Sequence, residues 1–315
     1  MMLFRSIVQC LLLCFLANLH STCFEEKTAL AAAKVQHRPI VAAFLGEECP
    51  WSNKLKADVL TNPTFLRKMN EGAILWISTL KQNEKQSVLL QKYRIAQCPF
   101  FLLLDPQGKE FARLEYSSLD AKGYASTLLG LIEDFQDICD ALDQEGTEFD
   151  EQRWQELYHK AKRLSVPCFQ QVILEEGVEK EEGHFFHLEK FATLLGKHKT
   201  KHPLVRKAKR QLLSRDPQNQ YGLPFKAAAI EFEQFRSKDS VERALRPLAR
   251  YIQRFGKKDL ENYWKAEWMV AEFLFSRGWT VQALEHAEIA YHASPSSVRP
   301  QLAETMNLIR LSAKK

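Results

Sequence analysis

From Phe24 to Leu142 short apolar runs alternate with amphipathic stretches. "IVAAFL" (40–45), "AILWIS" (73–78) and "PFFLLL" (99–104) are each long enough for one buried strand and too short for a helix. Phe111 to Tyr116 alternates apolar and polar side chains, as a strand buried on one face does. Between them, Phe24–Gln36, Ser52–Leu60, Thr64–Asn70, Glu84–Tyr93 and Leu119–Leu142 read as helices, with Asn62-Pro63 separating the second from the third. "DPQGKE" predicts a hairpin turn, because Asp105-Pro106 sets the bend and Gly108 accepts a positive φ. The order βαβ followed by a ββα unit predicts an α/β domain with one mixed sheet covered by helices.

The pattern changes after residue 142. The acidic stretch "DQEGTEFDEQ" (143–152) reads as a linker, and beyond it only helical periodicity recurs. Helices are expected over 153–164, 169–176, 183–198, 204–214, 224–236, 240–254, 260–277, 280–293 and 298–312, which predicts an all-helical second domain over 153–315. The first residues have a third texture: Arg5, the apolar run Ile7–Leu19, then "HSTC". That layout predicts a cleaved signal peptide over 1–23, with an uncleaved anchor as the alternative. No later segment is apolar enough to span a bilayer, so an exported chain without a membrane span is expected.

Charge sharpens the division. The net charge of +5 combines 14 basic against 19 acidic residues in 24–150 with 29 against 20 from Glu151 onward. A basic half can meet nucleic acid, but an exported chain seldom does; solvated helix faces come first and an acidic protein partner second. Of seven cysteines, Cys49, Cys98, Cys139 and Cys168 lie beyond the expected signal. Four in so long a chain exclude a disulfide scaffold, and neither a CxxC pair nor a zinc-type spacing occurs. The sequence implies no metal and no cofactor. His184 with His187 and His198 with His202 have one-face spacings but no nearby partner ligand, so packing or solvent exposure is expected for them.

The chemistry concentrates in "FLGEECPWSNKLKADVL" (44–60). A cysteine where a buried strand turns into a helix meets unpaired backbone amides, which favour the thiolate, the form that attacks disulfides. Glu47 and Glu48 beside it oppose that ionisation. Cys139 and Cys168 are expected as packed thiols, with Cys168 at a helix start.

Gly46, Cys49, Trp51, Lys54 and Leu55 resemble the active loop of the thioredoxin superfamily, in its exported bacterial branch. A second match follows in "LLQKYRIAQCPFFLLLDPQGKEFARL", where Tyr93, Ile95 and Pro99 fill the positions leading to that family's cis-proline. The resemblance covers 24–142 and implies thiol–disulfide exchange, with Cys49 attacking and Trp51, Pro99 and Phe100 meeting the substrate. Three departures qualify it. Ser52 stands where the resolving cysteine belongs, and Ala43 where a buried aspartate usually moves protons. Cys98 precedes Pro99, at a place that faces the active cysteine in this fold, so it is expected to resolve a mixed disulfide or to bridge to Cys49.

The helical part resembles tetratricopeptide repeats around "AEWMVAEFLFSRGWTVQALEHAEIAYHASP", with Ala271, Gly278, Ala283, Ala290 and Pro295 on the repeat's small-residue and proline positions. Glu267 occupies the place of its usual tryptophan. Together these features imply an exported, periplasmic thiol–disulfide protein, an isomerase or reductase, that meets client proteins by exchange or through its helical domain. The alternative is a redox-inactive thioredoxin scaffold acting as a chaperone or assembly adaptor.

Overall fold

The computed structural model describes residues 26–80, 89, 91–144, 149–180, 183–237 and 240–313. The expected signal peptide and most of the expected helix 84–93 lie outside these residues. The chain forms two compact units, one up to Ile173 and one from Leu174 onward.

In the first unit, helix α1 (Glu26–Gln36) precedes strand β1 (Ile40–Gly46). Helix α2 (Pro50–Leu55) widens into a π-turn over Lys56–Leu60, where the Thr61 N–H donates to the Lys56 carbonyl. Asn62 then caps helix α3 (Pro63–Gly72), accepting from the Thr64 and Phe65 amides. Strands β2 (Ile74–Leu80), β3 (Phe100–Leu104) and β4 (Glu110–Glu115) complete a four-stranded sheet in the order β2-β1-β3-β4. β1 pairs parallel with β2 and antiparallel with β3, while β3 and β4 are antiparallel. The sheet is therefore mixed, as the pattern of runs predicts.

Both faces of β1 are buried, which explains its unbroken apolar run. Ile40, Ala42 and Phe44 join Trp76, Tyr93 and Phe100 on one face. The β3–β4 turn forms as expected: Asp105 accepts from the Gln107 and Lys109 amides, and Gly108 takes φ +85°. Helix α4 (Ala121–Asp143), capped by Asp120, buries Tyr124, Leu128 and Ile132. Helix α5 (Glu151–Arg163) packs back onto it through ion pairs of Asp137 with Arg153 and Lys160, and of Asp134 with Arg163. Helix α6 (Pro167–Lys180) follows, and the division between units falls within it.

The second unit continues with α7 (Phe185–Lys197), α8 (Pro203–Ser214), α9 (Leu223–Phe235), α10 (Val241–Arg254), α11 (Leu260–Ser276), α12 (Thr280–Ala293) and α13 (Arg299–Ala313). No strand occurs among its described residues. Two polar knots hold its loops. Asp216 is buried and accepts from the amides of Gln220, Tyr221 and Leu223. Asp259 accepts from the Tyr251 hydroxyl, the Asn219 side chain and the Asn262 amide and side chain. Ala271, Ala283 and Ala290 are fully buried, which lets α11 and α12 approach closely, and Gly278 between them has φ +81°. Glu267, where the repeat's tryptophan would align, is buried and bonds His286 Nδ1 at 2.6 Å.

Candidate active site

Cys49 sits at the junction that the sequence indicates. β1 ends at Gly46, Glu47 and Glu48 form an exposed turn, and Cys49 is the N-cap of α2. Its backbone is extended, and Pro50 occupies the first helical position, where no amide is needed. The Cys49 carbonyl accepts from the Asn53 amide, closing the first helical turn.

Ser52, the catalytic-loop candidate that stands where a resolving cysteine would, lies beneath Gly46. It is 1 % exposed. Its hydroxyl oxygen accepts from the Gly46 amide at 2.9 Å, which leaves its own proton to donate to the Cys49 sulfur. This hydroxyl, the Ser52 amide and, after a small opposing effect of burial, the Trp51 amide hold the Cys49 thiol below the ordinary cysteine range. Glu47 and Glu48, expected to oppose this ionisation, are both exposed to water, which screens them, and the hydrogen bonds hold the thiol low.

The Cys98–Pro99 bond is cis and leads directly into β3. The Cys49 thiol lies 3.5 Å from the Cys98 carbonyl, to which it donates. Gly46 explains how the two loops approach. A Cβ placed there would stand 3.2 Å from the Cys49 Cβ and 3.6 Å from the Cys98 Cβ. Both thiols are free and half-buried. Burial pushes the Cys98 thiol up, and the neighbouring Cys49 charge adds to that rise. The site thus pairs a thiol disposed to ionise with one that holds its proton.

Arg113 of β4 fixes the segment leading to Pro99. Its guanidinium donates to the carbonyls of Tyr93 and Arg94, is held by Glu110, and lies over the Phe100 ring. Tyr93 is anchored in turn by its hydroxyl on Glu26. No motif marks Arg113 in the sequence; only its place on the strand paired with β3 gives it this role.

The remaining candidates separate clearly. Trp51 is 57 % exposed, packs against Tyr116, and with Lys54, Ser117 and Leu119 lines an open groove of about 830 Å³. Phe100 is only 6 % exposed and stacks on Phe44, so it packs beneath the site and offers no contact surface, contrary to the expectation. Ala43 is fully buried in the sheet, a methyl group where a carboxylate would be needed to move protons. Burial and nearby aspartates raise the Cys139 thiol. Cys168, expected as a packed thiol, is exposed as the second residue of α6.

Among the described residues no three His, Cys, Asp or Glu side chains gather as metal ligands. His198 and His202 stack on each other, and His202 Nδ1 caps α8 by accepting from the Leu204 amide. Burial holds His187 below the ordinary histidine range. No helix among the described residues is long and apolar enough to cross a membrane.

With this geometry in place, comparison with known proteins is informative. Residues 26–128 match the thioredoxin-like domain family. The thioredoxin-related protein DsbJ of Chlamydia pneumoniae is 28 % identical over 305 residues, which span 91 % of this chain and 86 % of the relative. Among solved structures, a DsbH oxidoreductase is 22 % identical with a TM-score of 0.32, over 34 % of this chain and 81 % of that one. A thioredoxin from Thermus thermophilus is 20 % identical with a TM-score of 0.34, over 39 % and 96 %.

Proposed function

Starting from residues 26–128 as a thioredoxin-like domain, we propose that this chain catalyses thiol–disulfide exchange on exported client proteins, with Cys49 as nucleophile and Cys98 as resolving thiol. The observation that carries the reading is the placement of the Cys49 thiol, at the start of α2, against the cis Cys98–Pro99 segment, 3.5 Å from the Cys98 carbonyl. The thioredoxin-related relative, matched along nearly the whole chain, supports the same class of chemistry.

The steps follow from the two thiols. The Cys49 thiolate attacks one sulfur of a client disulfide, forming a Cys49–client disulfide and expelling the other client sulfur as a thiolate, which takes up a proton. Ser52 stabilises the attacking anion, but its hydroxyl cannot displace the client afterwards. Two resolutions remain. If the client's own second thiolate attacks, a new client disulfide forms, Cys49 is regenerated, and no electrons are exchanged overall. If Cys98, once deprotonated, attacks the Cys49 sulfur, the client leaves as a dithiol, having gained two electrons and two protons. A Cys49–Cys98 disulfide then remains, and an external dithiol must reduce it before the next turnover. The raised Cys98 thiol makes this second route slower at neutral pH, so it favours isomerisation while keeping an escape from trapped clients.

Trp51 and the groove beside it supply the client contact next to the reacting sulfur. The helical unit would recruit clients, in the manner of repeat-like helix pairs. An expected signal peptide and the periplasm, where disulfides persist, complete the reading. The test is recovery of a scrambled-disulfide substrate. Wild type restores activity and Cys49→Ala does not; equal recovery by the two overturns the proposal.

A further inference from the structure

We propose that a groove in the helical unit, between α8, α9 and α10, binds an acidic stretch of a partner polypeptide. The groove is about 580 Å³ in volume and its two walls are cationic. One wall carries Arg206 and Lys209 of α8. The other carries Arg243, Arg246, Arg250 and Arg254, whose spacing of three, four and four residues puts all four guanidinium groups along one face of α10. All four are exposed, as is Arg206. Among the described residues, the one carboxylate that lines the groove, Glu231, is taken by Lys209, which reaches both its oxygens at 2.8 Å. Among the described residues, Arg206, Arg246 and Arg250 have no carboxylate within ion-pair distance.

A solvated basic face on a convex helix needs no ligand, since water and salt screen its charges. This arrangement differs. Like charges from two helices converge on one concavity with apolar walls, including Leu213, Ala227 and Phe235, where the field is focused and an anion is drawn in. The volume suits several residues of an extended chain rather than a single ion. Guanidinium groups accept carboxylates in paired hydrogen bonds, which matches aspartate and glutamate side chains.

Nucleic acid is the rival polyanion, and the aromatic residues argue against it. Single strands bind such grooves by stacking bases on free rings. Here Arg243 covers the Phe235 ring, Arg254 covers that of Phe255, and Tyr251 is buried with its hydroxyl on Asp259. A polypeptide asks for no stacking platform. The inference rests on the preceding reading only in taking the partner to be a client; the groove itself has no part in the exchange chemistry.

The experiment is fluorescence anisotropy of a labelled oligoglutamate peptide that lacks cysteine, titrated with the full chain. An uncharged oligoglutamine peptide and a single-stranded oligonucleotide of equal charge serve as comparisons. Saturable binding of oligoglutamate alone is expected, weakening as salt rises. Arg246→Gln and Arg250→Gln should each reduce affinity about tenfold, and Arg206→Gln on the opposite wall similarly. Arg310→Gln on α13, where Arg310 pairs with Glu288, should leave binding unchanged. Thermal melting of each variant confirms the fold. Absent binding, equal affinity in the groove variants, or tighter binding of the oligonucleotide overturns the inference. Because the probe has no thiol, loss of exchange in Cys49→Ala leaves this measurement untouched.

Discussion

At position 52 a thiol would add a second nucleophile, whereas the Ser52 hydroxyl adds a hydrogen bond to the first. That bond is worth about 1 kcal/mol, so Ser52→Ala should slow alkylation of Cys49 roughly fivefold near neutral pH. The sign follows from the thiolate. Ser52 holds the Cys49 thiol low, so without the hydroxyl the pH profile of alkylation moves to higher pH, and a profile that stays in place contradicts the assignment. Gly46→Ala tests the approach of the two loops. Its methyl would stand 3.2 Å from the Cys49 Cβ, so Cys49 must shift and its reactivity should fall while the fold persists. The sequence makes Cys49 legible, through a strand-to-helix cysteine followed by proline. It hides the role of Ser52, because the hydrogen bond depends on where the Gly46 amide points. It also overstates Phe100: being adjacent to Pro99 in sequence does not decide which face of β3 a side chain occupies.

Among elements, a bulge opposite Leu103–Leu104 breaks the alternation expected of β4, so that Phe111 and Ala112 are both buried, but elsewhere apolar runs such as Ile40–Leu45, buried on both faces, made strands readable. The polar loop knots were not, since their partners are far apart along the chain. Asp259, at the start of α11, gathers Tyr251 from α10 and Asn219 from the α8–α9 loop. Burial works against its ionisation, but the hydrogen bonds from Tyr251, Asn219 and Asn262 outweigh it and hold the carboxyl below the usual range. Asp259→Ala should therefore cost about 3 kcal/mol of stability. A depressed carboxyl stabilises the fold above its unfolded-state pKa, and that contribution fades as pH falls through the folded value. The wild-type advantage over Asp259→Ala in denaturant midpoint should accordingly shrink in acid. An advantage that is constant with pH would show that the carboxylate charge is not what the knot uses.

On the scale of the whole molecule, the change in texture near residue 143 marks where strands stop, while the compact first unit extends to Ile173. Helix α5 joins that unit through Asp134 and Asp137, which lie in the helix expected over Leu119–Leu142 and whose partners the sequence pattern does not indicate. The excess of basic residues after Glu151 was legible as a sum; its concentration along one groove was not, because α8 and α10 are separated in the chain. Two units with separate surfaces predict separable functions. Cys49→Ala should abolish exchange while leaving suppression of client aggregation intact, as light scattering of an unfolded client would record. Loss of both would tie recruitment to the thiol. The account turns, however, on whether Cys98 completes what Cys49 begins. The most direct test is a single turnover with a peptide disulfide, quenched in acid, alkylated and read by mass spectrometry. Wild type should release the reduced peptide and carry a Cys49–Cys98 disulfide, whereas Cys98→Ser should accumulate the peptide on Cys49. Equal amounts of trapped peptide in both, with no Cys49–Cys98 disulfide in wild type, would contradict it.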